Sequence, residues 1–330
     1  MNSRRNLLLA LGVASLSMPL GAFAQPQSKV FRVGFLSPRR RPASLVSDYY
    51  GAFPQRMNEL GYVEGKNLFI EWRFADGEYE RLPGMAAELV QSKVDVILAL
   101  SPPGAIAAQK ATTAIPIVFV VSSDPVAAGL VKSLANPGGN ITGLSNLAGD
   151  LGAKHLEMLV TIVPKLSRVA VLINPANPAN TAVLNTVQAA AEKVRVKVLP
   201  VRAQSPREIE RAFFTMNAEG AGAVMVALDP LFIQQGHQIA EQSLKHRLPS
   251  IFANREYAEA GGLMSYGQNQ VEIYQRAAVY VDKIFKGAKP GDLPVEQPTK
   301  LELIINGRIA KVLGLAIPKS LLITADTVVQ

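Results

Sequence analysis

Cysteine is absent from all 330 residues. Disulfides, thiolate nucleophiles and Cys-ligated metals are therefore excluded. Charge is sparse: 18% of residues are Asp, Glu, Lys or Arg, against 48% apolar. A disordered chain needs the opposite balance. Aromatic residues make up only 6%, and Trp72 is the single tryptophan, placed by alternation in a strand as core packing. Gly (25) and Pro (22) are ordinary in number, so a collagen-like or low-complexity polymer is excluded. Catalytic signatures are missing too. There is no G-x-S-x-G nucleophile elbow and no G-x-x-x-x-G-K-[ST] phosphate loop. His155, His237 and His246 lack metal-ligand spacing. The net charge of +8 comes from basic residues scattered among acids, and only Arg39-Arg40-Arg41 forms a run of one sign. That argues against a nucleic-acid stripe. Such a run is more often a solvated loop; the alternative is that it attracts an anionic ligand at a cleft mouth.

The N-terminus reads as an address. Residues 1–24 carry Arg4 and Arg5, a mostly apolar stretch from Leu7 to Leu20, and the small-x-small site Ala22-Phe23-Ala24. This is the pattern of a cleaved secretory signal, with a mature start near Gln25. The apolar stretch is too short, and too broken by Ser and Pro, for a membrane anchor. Ser3-Arg4-Arg5 also fits a twin-arginine signal, and both export routes stay open. Removal of the two arginines takes the charge from +8 to +6. The mature protein is expected in the periplasm, where a Cys-free chain cannot mispair.

The body alternates strand and helix twice. Strands are expected at 30–36, 68–74, 94–100 and 115–121, with helices at 43–60 and 79–92 and one opened by Ser101-Pro102-Pro103. The second series places strands at 168–173, 196–201, 222–227 and 249–253, with helices at 178–193, 205–216 and 231–246. Ser205 followed by Glu208 makes a capping box. A further strand at 262–266, a helix at 270–286, a segment at 300–305 and a helix at 306–314 complete the chain. Strands joined by helices through short loops predict an α/β protein with two doubly wound parallel-sheet lobes. Segments left over after two complete lobes imply several crossings, and a cleft between lobes so joined is a hinge device.

In open parallel sheets, ligands bind beyond the carboxyl ends of the strands. The residues there are Ser37, Ser101, Ser122, Asp124, Asn174, Asp229, Asn254 and Tyr266. Ser37 corresponds to Asn174, Ser101 to Asp229, and Ser122 to Asn254 across the two series. The helix start after Ser101 would offer N–H groups to a carboxylate. Asp124 or Asp229 would receive an ammonium, together suiting a zwitterion or another small polar ligand. Each of these residues is also a standard helix cap. An acid–base pair of Asp124 and Asp229 would make an enzyme, with no nucleophile or orienting group beside it.

Several stretches carry a resemblance. They include Phe31-Arg32-Val33-Gly34-Phe35-Leu36-Ser37, Leu60-Gly61-Tyr62-Val63-Glu64-Gly65-Lys66-Asn67, and Asp124-Pro125-Val126-Ala127-Ala128-Gly129-Leu130-Val131. Asn136-Pro137-Gly138-Gly139-Asn140-Ile141-Thr142-Gly143, Asn174-Pro175-Ala176-Asn177-Pro178 and Met264-Ser265-Tyr266-Gly267 follow. From about residue 30 to the C-terminus the chain resembles the substrate-binding proteins of ABC importers, in the tryptophan/tyrosine-type group with the type I periplasmic-binding-protein fold. The resemblance implies a monomeric bilobed binder that closes on a solute and delivers it to an inner-membrane permease, with no cofactor, metal or nucleic acid. It implies one lobe of 25–145 plus 267–297 and another of 146–266 plus 298–330. It implies ligand contacts from Ser37, Ser101, Ser122, Asp124, Asn174, Asp229 and Tyr266. Members taking aromatic amino acids carry Thr-Asp-Asn where this chain has Leu228-Asp229-Pro230. A sensor subunit for a membrane receptor is the alternative reading, and a periplasmic enzyme a further one.

Overall fold

The computed structural model describes residues 29–121, 124–145, 148–297 and 300–330. In the first lobe, β1 (Phe31–Ser37), α1 (Ala52–Glu59), β2 (Leu68–Phe74), α2 (Leu82–Gln91), β3 (Val96–Leu100), α3 (Ser101–Ala111), β4 (Ile117–Val121) and β5 (Ile141–Ser145) follow one another. The strands form one parallel sheet in the order β2-β1-β3-β4-β5. Both faces are covered, so its inner strands are continuous apolar runs. Period two then sorts each run between the faces. Val96, Leu98 and Leu100 join Phe35, Phe53 and Met57 on one side. Ile97 and Ala99 join Leu36, Leu89 and Phe119 on the other. Trp72 packs on Phe35, with ring centroids 4.3 Å apart.

The chain then builds the second lobe. It runs through α4 (Ala148–Ile162), β6 (Arg168–Ile173), α5 (Pro178–Val194), β7 (Lys197–Arg202), α6 (Pro206–Ala218), β8 (Ala223–Val226), α7 (Pro230–Gln234), α8 (Gly236–Lys245), β9 (Ser250–Phe252), α9 (Arg255–Glu259) and β10 (Met264–Gln268). Here α10 (Gln270–Phe285) returns to the first lobe, where Ile273, Tyr274, Ala277 and Val281 enter its core. The chain crosses once more to β11 (Leu301–Asn306), α11 (Gly307–Leu313), α12 (Lys319–Thr324) and β12 (Thr327–Val329). The second sheet has the order β12-β11-β10-β9-β8-β6-β7, parallel except for the β10–β11 pair. Two lobes therefore share three crossings, after β5, after β10 and before β11. The last one is pinned: Ser145 N donates to Glu296 O at 2.9 Å, and Glu296 N to Gly143 O at 3.1 Å.

Four local readings need correction. Residues 43–48 are not helical, and α1 begins only at Ala52. The Asp48 carboxylate accepts from Tyr50 N at 2.9 Å, and Ser44 Oγ from Ser47 N, so side chains satisfy the backbone that a helix would have used. The helix expected at 231–246 breaks into α7 and α8 around Gln235, whose backbone stands at φ −97°, ψ 20°. Gly267 and Gln268, expected in the first lobe, pair with Glu302 and Leu301 in the second sheet. The C-terminal helix is followed by α12 and β12, which sequence patterning did not anticipate. Half of the capping box expected at Ser205 forms: its Oγ accepts from Glu208 N at 3.3 Å, while Glu208 Oε2 accepts at 2.8 Å from Gln204 N, the residue before the cap.

Candidate functional site

A cavity of about 610 Å³, its open mouth included, lies between the lobes. The first lobe contributes Arg39, Ser101 and Ser145, α7 and the residues before it contribute Leu228, Pro230 and Ile233, and the crossing into α10 contributes Gln268 and Tyr274.

Arg39 is the main feature of the wall. It follows β1 in the loop that the Ser44–Asp48 turns hold, and its guanidinium stacks over Tyr49 and Tyr50, with Cζ at 4.8 and 4.9 Å from the ring centroids. Nη2 meets Asp48 Oδ2 at 3.3 Å. Nε and Nη1 are buried without a partner. Burial acts against the charge, and the Asp48 carboxylate beside it favours it, so the guanidinium stays charged. Burial likewise holds Tyr49 and Tyr274 protonated, well above the ordinary phenol pKa.

Two hydroxyls have the same unused capacity. Ser101 Oγ and Ser145 Oγ are buried without partners and line this cavity. Ser101 sits at φ +58°, left-handed backbone for a non-glycine residue. Such strain costs on the order of 1 kcal/mol and persists where the surroundings impose it. The N–H groups expected at the start of α3 are fewer than a helix end normally offers. Pro102 and Pro103 have none, which leaves the helix dipole and the Ser101 side chain.

The other strand-end residues have their bonds filled by the protein. Ser37 is fully buried; its Oγ bonds Tyr50 OH at 2.9 Å and accepts from Arg39 N at 3.2 Å. Asn174 donates to Asp229 Oδ1 at 3.1 Å and accepts from Ala176 N at 3.0 Å. Asp229 is also fully buried, and its carboxylate accepts from Asn177 Nδ2 at 2.8 Å and Leu231 N at 3.0 Å. It accepts as well from Tyr79 OH, at 2.9 Å and 3.0 Å on its two oxygens. Burial raises the Asp229 pKa, and these donors oppose the shift. Asp124 is exposed and caps its own turn, accepting from Val126 N and Ala127 N. Tyr266 faces a separate groove beside α4, and its carbonyl meets His155 Nε2 at 2.6 Å. Ser122 lies outside the described residues. Of the strand-end residues singled out from sequence, the structure therefore brings Ser101 to the cavity, with Ser37 directly behind its wall.

Tyr49, Tyr50, Tyr79, Ser145, Gln268 and Tyr274 were missed by sequence reasoning. The stretch Ser47-Asp48-Tyr49-Tyr50 was the available signal: an acid, capable of capping, beside paired phenols just after the triple arginine.

Tyr79 belongs to the first lobe and Asp229 to the second, so their bond closes the cleft. Arg40 N to Gln234 Oε1, 3.2 Å, crosses it as well. Residues 44–329 match the family described as ABC transporter substrate binding protein. The chain belongs to that family. It is 28% identical over 264 residues to a tyrosine-binding protein of Clostridioides difficile, covering 80% of this chain and 75% of the relative. Among solved structures it resembles an ABC domain in complex with L-Trp from Streptococcus pneumoniae, at 25% identity, TM-score 0.83, 91% of this chain and 100% of that one. It also resembles the ligand-free, open structure of a substrate binding protein with adhesive properties from Clostridium difficile, at 26% identity and the same coverage, with a TM-score of 0.63. This member of the family has the type I periplasmic-binding-protein architecture, with the Tyr79–Asp229 and Arg40–Gln234 contacts spanning its cleft. The family is one of binding proteins, and no described helix is long and apolar enough to cross a membrane.

Proposed function

We propose that this chain is the exported solute-binding component of an ABC importer, closing as a monomer on a small polar organic molecule with an acidic group, an amino acid or a related acid. Arg39 receives the acid between Tyr49 and Tyr50, and Ser101 and Ser145 complete the recess. Ser37, Asn174 and Asp229 act from behind the wall, and Tyr79 with Asp229 holds the lobes shut. The closed form is then presented to an inner-membrane permease. One observation carries the reading: the interlobe cavity is lined by Arg39, whose buried guanidinium leaves Nε and Nη1 without a partner. A buried cation without full pairing is costly, so its retention fits a site completed by a ligand. The names of the relatives support an organic acid of amino-acid size. Mass spectrometry of the mature protein from its native compartment, folded and then denatured, tests this. A stoichiometric small molecule released intact is expected. A bound molecule that the protein converts to another would overturn it.

A further inference from the structure

On the proposed solute-binding reading, we infer that Asn177 is a positioning residue for closure: its side-chain amide aims the Asp229 carboxylate at the Tyr79 hydroxyl of the opposite lobe. The loop from β6 into α5 carries Asn174, Asn177 and Asn180, all buried. They hold one another and the turn that follows β8. Asn180 Oδ1 accepts from Asn174 N at 2.9 Å, and Asn180 Nδ2 donates to Leu228 O at 3.0 Å. Asn177 Nδ2 donates to Asp229 Oδ2 at 2.8 Å. Leu228 and Pro230, on either side of Asp229, line the interlobe cavity.

The two carboxylate oxygens are held differently. Oδ1 accepts from Asn174 Nδ2 and from Leu231 N. Among the described residues of its own lobe, Oδ2 accepts from Asn177 alone. The Tyr79 hydroxyl meets both oxygens, at 2.9 and 3.0 Å. With only Oδ1 fixed, the carboxylate can still turn about that oxygen; fixing Oδ2 as well sets the plane that the hydroxyl must meet. Hydrogen bonds weaken steeply as their angles degrade, so an acceptor aimed before the lobes meet favours the shut cleft. Asn177 also caps α5, its Oδ1 accepting from Ala179 N at 3.2 Å, and capping by itself has no bearing on the cleft. Serine caps as well as asparagine does, but its hydroxyl stands one bond nearer the backbone than the amide nitrogen that reaches Asp229.

Closure can be read without a ligand because the chain has no cysteine. Arg40 N donates to Gln234 Oε1 across the cleft at 3.2 Å, so the paired substitutions Arg40→Cys and Gln234→Cys bring two thiols together when it shuts. The rate of disulfide trapping by copper phenanthroline, with no solute added, then tracks the closed population. In this background Asn177→Ser should slow trapping about three- to tenfold. With Tyr79→Phe also present it should cause no further slowing, because Asn177 acts through that hydroxyl. Asn177→Asp keeps the cap and the length, and it supplies a donor to Asp229 only while the new carboxyl group is protonated. Its trapping rate, relative to the parent at the same pH, should rise as pH falls from about 9 to 6. Tyr79 keeps its proton throughout, since burial and Asp229 hold its pKa well above the ordinary phenol value. Equal slowing by Asn177→Ser with and without the Tyr79 hydroxyl, or none in either, would overturn the inference. So would a parent that never traps. Protein that traps as expected yet carries no solute would instead sink the solute-binding reading and leave the role of Asn177 standing.

Discussion

Replacing Tyr79 by Phe should weaken ligand binding without weakening the fold. The Tyr79 hydroxyl reaches across the cleft to a carboxylate that is fully buried and already holds three donors from its own lobe: Asn174, Asn177 and the Leu231 amide. Of the bonds to Asp229, opening the cleft breaks only that from Tyr79, because the other three donors move with Asp229. A hydrogen bond to a charged acceptor is worth about 1.5–3 kcal/mol net. Its loss falls wholly on the closed state, so the closing equilibrium shifts by about ten- to hundredfold. Apparent affinity for the co-purified ligand should fall by the same factor in calorimetry. The radius of gyration of ligand-free Tyr79→Phe in solution should match that of an open form. The urea midpoint of the ligand-free variant should stay within about 0.5 kcal/mol of the parent, as for a substitution that leaves each lobe's core intact. A dissociation constant within twofold of the parent would refute the reasoning. Asp229→Asn provides the contrast. It disturbs the network inside the second lobe as well as the contact between lobes, so it should lower stability and affinity together.

Three further outcomes are expected. His155 is buried, and desolvation lowers its pKa from 6.5 to about 4. The unfolded chain therefore binds its proton first, and stability falls as pH drops from about 7 through 4, by about 3 kcal/mol in total from this group. Roughly 2 kcal/mol of that is lost between pH 7 and 5. His155→Gln, which keeps a donor for the Tyr266 carbonyl, should flatten this part of the profile in urea titrations; equal slopes in the two proteins would count against it. At Ser101, Gly and Ala remove the same hydroxyl, but only Gly relieves the left-handed backbone. Ser101→Gly should thus be more stable than Ser101→Ala by about 1 kcal/mol, while both weaken ligand binding equally. Equal melting temperatures would remove the strain argument. Arg39→Lys keeps the charge but not the fork, so it should lose at least about tenfold in acid affinity, where full retention would mean that the site reads charge alone.

The lobes were legible because their strands are buried on both faces. A run such as Val96–Leu100 has no polar interruption and is buried throughout. The errors fall where local side chains decide. Ser44, Ser47 and Asp48 look like the start of a helix, yet they hold a loop that delivers Arg39 to the cleft. The break around Gln235 has no proline to announce it, only Gly236. Arg39 itself was visible as part of a triple arginine. That it alone is enclosed by Tyr49 and Tyr50 depends on packing between the loop and α10, where Tyr274 stacks on Tyr49 at 5.5 Å. Strand order places residues at a cleft; it does not say which of them keep a free bond there.

That last distinction separates a wall from a site. Ser37, Asp124, Asn174 and Asp229 are the residue types that ligands meet at strand ends, and they are also the types that cap helices and turns. Here each has been given to the second task. Asp229 begins α7 by accepting from Leu231 N, and it spends its remaining capacity on three more donors. A carboxylate so saturated cannot exchange partners for an ammonium without leaving an amide or a phenol buried and unpaired. Ser101 is the informative exception. It stands where Asp229 stands in the other lobe, at the end of the corresponding strand, but two prolines follow it and its left-handed backbone carries the hydroxyl away from a capping position. A residue held under strain with its polar atom buried and unspent is stabilising neither its helix nor its sheet. The remaining use for that atom is a partner that arrives from outside, and Arg39 and Ser145 leave matching donors around the same space.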